Sequence, residues 1–162
     1  MRYYLGILLT AIILLLPSCR KDMTVGREAA FVSFETEILS TELDGSYTLR
    51  AWGSGRDKAD AIEQAKKNAV RDIIFKGVNK GPAGAKVKPL IFEVNAQEKY
   101  EFYFNQFFAD GGAYEAYVTS EDENRTSRVQ SKSNTQYNYG VVVRVLRADL
   151  RQRLIDDDII KP

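Results

Sequence analysis

The stretch Ser46–Gly77, SYTLRAWGSGRDKADAIEQAKKNAVRDIIFKG, narrows the fold more than any other part of the chain. Tyr47, Leu49 and Ala51 alternate with Thr48, Arg50 and Trp52, the period of two of a strand with distinct faces. Gly53-Ser54-Gly55 then reads as a tight turn that ends the strand. Ser54 or Asp57 is placed to cap a helix, each with an acid three residues on. That helix runs from about Asp57 to Lys76, and Gly77 is a natural stop. At roughly 100° per residue, Ala59, Ile62, Ala65, Ala69, Val70 and Ile73 fall on one stripe. Lys66 shares the stripe and must snorkel. Half of the stripe is alanine, and small side chains let a helix lie flat and close on a sheet.

The rest of the chain supplies that sheet. Val32, Phe34 and Ile38 share one parity within 29–41, with Thr36 between them. Asp44-Gly45 is a hairpin turn signal, so strands Phe31–Thr41 and Ser46–Gly53 are expected to pair antiparallel. Gly77–Pro89, broken by glycine and proline and carrying Lys80, Lys86 and Lys88, reads as a loop; Leu90–Val94 reads as a short strand. Asn95 with Glu98 forms the capping box of a second helix, Ala96–Ala109. It carries Tyr100, Phe102, Tyr103, Phe104, Phe107 and Phe108; all but Phe102 share an arc of roughly 140°, and Phe102 points almost the opposite way. Ala113–Thr119 reads as a strand, Ser120–Thr135 as a polar hairpin tip or loop, and Gln136–Arg147 as a strand built on Val141, Val143 and Val145. A closing helix, Ala148–Ile155, should stop before Asp156-Asp157-Asp158, because the helix dipole disfavours negative charge there. The expectation is an α+β fold. It consists of an antiparallel sheet of four to five strands, one long helix packed across it, and a second, aromatic-rich helix, all in a single domain over 29–162.

The first residues carry an address. Arg2 precedes an apolar run, Leu5–Leu16, of about twelve residues, short of the ~20 that a membrane span needs. The run ends Leu16-Pro17-Ser18-Cys19, which resembles a bacterial lipobox, with Pro17 where alanine or serine is usual. The resemblance implies a signal peptide over 1–18, cleavage before Cys19, acylation of Cys19 and a tether over 19–28. Several acyl chains on one residue anchor a protein stably. Arg20, rather than an aspartate, follows the cysteine, which by resemblance to the enterobacterial sorting rule points to the outer membrane. Lys21-Asp22 resembles the charged surface-export signals of Bacteroidota lipoproteins, so the periplasmic face and the cell surface both stay open.

Beyond the signal, the blocks Ala51-x-Gly53-x-Gly55, then Ala59, Ala61, Ala65 and Ala69-Val70-Arg71, and later Val141, Val143, Val145 and Leu150 form a pattern. It resembles the LPP20-type envelope lipoproteins, which share a domain with the N-terminal part of the flagellar assembly protein FlgT. The match covers about half of the mature chain and leaves the aromatic helix outside it. The resemblance implies a helix on a mainly antiparallel sheet and a non-enzymatic role in the cell envelope.

Composition excludes much chemistry. The chain has no histidine, which removes the usual general base and the commonest metal ligand. With Cys19 acylated no thiol is free, so Cys/His zinc sites, Cys–His nucleophiles and Ser-His-Asp triads are excluded. Gly53-Ser54-Gly55 lacks the third glycine of a dinucleotide site, which Lys58 replaces, and reads as structural. Glu121-Asp122-Glu123 and Asp156-Asp157-Asp158 lack the spacing of a calcium loop and read as solvated charge. No metal or other cofactor is expected. Lys plus Arg total 23 and Asp plus Glu 22; loss of the signal removes Arg2, leaving the two in balance. That argues against nucleic acid as a partner. The expected function is a lipid-anchored binding protein, an accessory of an envelope assembly. Phe102, Tyr114, Tyr117, Lys58, Lys67 and Arg71 are its candidate partner contacts, and Cys19 is the lipid attachment site. The alternative is a glycan- or lipid-binding lipoprotein that uses an aromatic patch around Phe102.

Overall fold

A computed structural model of the chain describes residues 34–120, 131–132 and 137–162. The signal segment, the tether with Cys19, the start of the first predicted strand and most of the polar stretch after Ser120 lie outside the described residues. The fold is α+β, as the periodicities predict: an antiparallel sheet with one long helix across it.

Strands β1 (Glu37–Thr41) and β2 (Tyr47–Gly55) pair antiparallel through the turn at Asp44-Gly45. Gly45 sits at φ 79°, where glycine carries no Cβ penalty. Asp44 fastens the turn by accepting from the backbone and the hydroxyl of Ser46 at 2.9 and 2.6 Å. β1 is shorter than predicted: 34–36 is not strand, and Phe34 is exposed against the edge of Trp52. The remaining strands are β3 (Val118–Ser120), β4 (Ser131–Lys132) and β5 (Tyr137–Val145), in the order β1-β2-β5-β3 with β4 also on β5. The register opposes Leu49 to Val143, Ala51 to Val141 and Gly53 to Tyr139, so one apolar face is built from both central strands.

Helix α1 (Lys58–Arg71) covers that face. Asp57 is its cap, accepting from the Asp60 amide at 2.9 Å. Two readings of this region need correction. Gly53-Ser54-Gly55 is not a turn, because β2 runs through it to Gly55. The glycines are there for close approach: a Cβ on Gly53 would lie 2.2 Å from the Ala61 carbonyl oxygen, and one on Gly55 would lie 2.5 Å from the Ala61 nitrogen. The buried helix positions are accordingly Ala61, Ala65, Ala69 and Val70, while Ala59 is exposed and Ile62 half-buried. The ridge of three alanines spaced four residues apart, Ala61, Ala65 and Ala69, rather than the stripe from Ala59, seats on the glycine groove.

The long helix ends in a wider turn, Asp72–Lys76, closed by the Gly77 amide donating to the Asp72 carbonyl at 2.6 Å. Leu90–Val94 is not a strand. Instead the Leu90 and Ile91 amides donate to the Ile73 and Ile74 carbonyls, groups that a helix end leaves unpaired. Gly77–Pro89 is a folded loop, with Val78 and Val87 buried and bridged. Tyr114 opens no strand; Ala113–Tyr117 is a short 3-10 turn before β3. Helix α4 (Arg147–Asp156) extends one residue into the aspartate run, and buries Leu150 and Leu154.

Candidate functional site

The most distinctive part of the surface forms around the aromatic helix, which is kinked. It consists of α2 (Ala96–Lys99) and α3 (Glu101–Phe107), with Tyr100 at φ −111° between them. The predicted capping box is absent: Asn95 is left-handed at φ 63° and its side chain makes no cap. The αL conformation that Asn tolerates starts the helix instead.

The predicted division of the six rings holds. Phe104 and Phe107 are buried, and Tyr100, Tyr103 and Phe108 are half-buried. Phe75 stands edge-on to Phe104 at 4.7 Å, and Tyr103 stacks on Phe107 at 5.8 Å. The Tyr103 hydroxyl donates to Asp157 at 2.7 Å, tying α3 to the end of α4. Burial first, and then the Asp157 carboxylate, push its ionisation above the ordinary tyrosine range. Phe102 is left 78% exposed. Two residues join it that the sequence reading placed in a strand: Phe92 at 72% and Val94 at 84%. No periodicity could have found them, because Leu90 and Ile91 are buried side by side and give no alternation.

The other candidate contacts are distributed differently from expectation. Tyr114 is fully buried and its hydroxyl donates to Glu63, so it cannot belong to an exposed patch. Tyr117 is half-buried and stacks on Phe107 at 6.1 Å. Lys67 is mostly covered: its Nζ lies 2.6 Å from Asp110 and 5.4 Å from the Tyr114 ring. The same lysine holds the Asp110 carboxyl below its usual range. Arg71 lies over Phe108 at 5.9 Å and Lys58 over Tyr139 at 5.1 Å. Both are exposed, yet each lies over a ring of its own fold. Among the predicted contacts, Phe102 is the large apolar side chain that the fold leaves bare.

The space over Gly53 and Gly55, where a phosphate reading would put its ligand, is filled by the α1 backbone. Among the described residues, no three acidic or sulfur side chains are placed to hold a metal ion, and no helix is long and apolar enough to cross a membrane. Asp156 accepts from Gln152 and Asp157 from Arg153, so two of the three terminal aspartates serve their own helix. Glu121-Asp122-Glu123 lies outside the described residues. The chain matches no protein-family model, no curated protein and no solved structure.

Proposed function

We propose that this chain is a lipid-anchored protein of the bacterial outer membrane that acts by binding another envelope protein, as the LPP20-type lipoproteins it resembles are expected to act. One observation carries the reading. Of the five large hydrophobic residues left exposed among those described, Phe92, Val94 and Phe102 fall within one eleven-residue segment. That segment is fastened at both sides: Leu90 and Ile91 are hydrogen-bonded to the end of the long helix, and Phe104 and Phe107 are sunk in the core. Exposed apolar side chains on a held backbone suit a partner surface, because little ordering entropy opposes binding. Burying one such phenylalanine contributes about 1.5–3 kcal/mol, so Phe92 and Phe102 together would add about 3–6 kcal/mol to the affinity of a contact.

Lipid attachment at Cys19 and the absence of catalysis belong to the same proposal. The chain has no histidine and one cysteine. The test is a crosslinked pull-down of the full-length protein from native membranes, beside a Phe102→Ala variant. The reading expects a fixed set of envelope proteins, weakened in the variant; recovery at background level would sink it. A Cys19→Ser variant should lose fatty-acid incorporation and leave the membrane fraction. Unchanged membrane association in that variant would remove the anchor from the account.

A further inference from the structure

Beside the exposed segment, and sharing Phe92 with it, a groove of about 810 Å³ runs between Pro89–Glu93 and helix α4. That volume lies inside the ~300–1,000 Å³ range of small-molecule sites. Its walls are built and not incidental. Leu90 and Ile91 are buried and pinned to the Ile73 and Ile74 carbonyls. On the far side the chain turns back after α4 through Asp158 at φ 57°, and the Ile159 and Ile160 amides donate to the Leu154 carbonyl at 2.9 and 3.1 Å. Leu90, Ile91, Phe92, Ile155 and Ile159 supply the apolar part of its lining.

The charge in the groove is lopsided. Lys99 and Glu93 neutralise each other at 2.7 Å. Arg147, Arg151 and Lys161 also line it, and among the described residues none of the three has a carboxylate within ion-pair distance; Asp158 is the remaining acidic side chain. Arg147 is half-buried. Its Nη2 donates to the Lys88 carbonyl at a long 3.3 Å, and its Nε is buried without a partner. A guanidinium drawn partly out of water with no counter-ion is destabilising, and its planar fork matches carboxylate and phosphate oxygens. An anion in the groove would supply the counter-charge that the fold omits.

We propose that this groove binds an anionic single-chain amphiphile. Its carboxylate or phosphate head lies against Arg147 and Arg151, and its hydrocarbon chain lies along Leu90, Ile91, Phe92, Ile155 and Ile159. A single molecule fits better than a bilayer surface, because the apolar side chains line a concavity. It fits better than an acidic peptide, because Arg147 and Arg151, without an ion pair among the described residues, share the groove with five large apolar side chains.

The test uses the full chain reconstituted in phosphatidylcholine vesicles and a palmitate analogue carrying a photoreactive diazirine. After irradiation, peptide mapping locates the adducts. The expected result is labelling in 89–93 and 155–160 that unlabelled palmitate abolishes. It should fall at least tenfold for the alcohol of the same chain length and severalfold in Arg151→Gln. Arg151 is exposed, so that variant keeps its fold by circular dichroism and carries the test even if Arg147→Gln does not fold. Equal labelling by the alcohol, or adducts elsewhere, would overturn the proposal. So would suppression by phosphatidylglycerol vesicles, which would identify a bilayer surface, or competition by an acidic peptide.

Discussion

Gly53→Ala is the sharpest perturbation of this fold, because it adds one methyl group where the backbone of another element already lies. The new Cβ would sit 2.2 Å from the Ala61 carbonyl oxygen, 2.3 Å from the Ala65 nitrogen and 2.9 Å from the Ala65 Cα. Comfortable separations are roughly 3.5–4.0 Å, so α1 must retreat by about 1 Å or more. All three clashing atoms are backbone, so no rotamer change relieves them. The retreat would open space beneath Ala61, Ala65 and Ala69, which are fully buried against Leu49, Ala51, Val141 and Val143. Gaps of 0.5–1 Å forfeit about a quarter to a half of each dispersion contact. Overpacking costs about 1–3 kcal/mol, and this geometry belongs at the top of that range. The loss of glycine's freedom in the unfolded chain offsets about 0.4–1 kcal/mol. A net loss of about 2–3 kcal/mol remains, or a fall in Tm of roughly 10 °C for a domain of this size. Thermal melting followed by circular dichroism reads it. Gly84→Ala is the comparison: its φ is 74° and no atom lies within 4 Å of the new Cβ, so αL strain of about 1–2 kcal/mol is all it incurs. A Gly53→Ala protein melting within about 3 °C of the parent would mean that the helix does not seat on β2 as described.

Two further predictions concern the hairpin turn and the aromatic helix. The Asp44 carboxyl is held down to about 2, first by the Ser46 hydroxyl, then by the Ser46 amide and Arg144. Its folded value is depressed, so its contribution is present above the ordinary carboxylate range near 3.8 and lost as pH falls toward 2. Ser46→Ala should raise the Asp44 value in a carbon-13 carboxyl titration and flatten the loss of stability between those limits; an unmoved titration would refute the assignment of cause. For the aromatic helix, Phe104→Ala should cost about 3–5 kcal/mol in urea denaturation, while Phe102→Ala should stay within about 0.5 kcal/mol of the parent. Similar costs for the two would mean that the helix faces are assigned wrongly.

Much of the fold was legible because hydrophobic period reports which face is buried. Val141, Val143 and Val145 announced β5, and the wheel separated Phe102 from Phe104 and Phe107 correctly. The misreadings have physical causes. A glycine that makes a turn and a glycine that admits a neighbouring backbone look alike in sequence. The available signal was parity, since Gly53 and Gly55 continue the inward series Leu49 and Ala51. Having taken them as a turn, the reading began the helix stripe at Ala59 instead of on the ridge of Ala61, Ala65 and Ala69. The expected strand at Leu90–Val94 failed because its amides satisfy helix-end carbonyls, a pairing with no local pattern. Tyr114 looked like a surface aromatic, but its hydroxyl finds Glu63 within the fold and the ring is buried. The groove was out of reach too, because Arg147, Arg151 and Lys161 meet Leu90, Ile91 and Phe92 only through a fold that pairs distant segments.

The central claim, that the bare apolar segment 92–102 meets an envelope partner, is tested most directly by site-specific photocrosslinking in native membranes. A photoreactive phenylalanine analogue would replace Phe102 in one protein and Leu43 in another. Leu43 is also fully exposed, but it sits in the β1–β2 turn, away in sequence from the proposed contact. The account predicts a discrete higher-mass adduct from position 102 and none from position 43. Adducts of equal strength from both positions, or none from position 102, would contradict it.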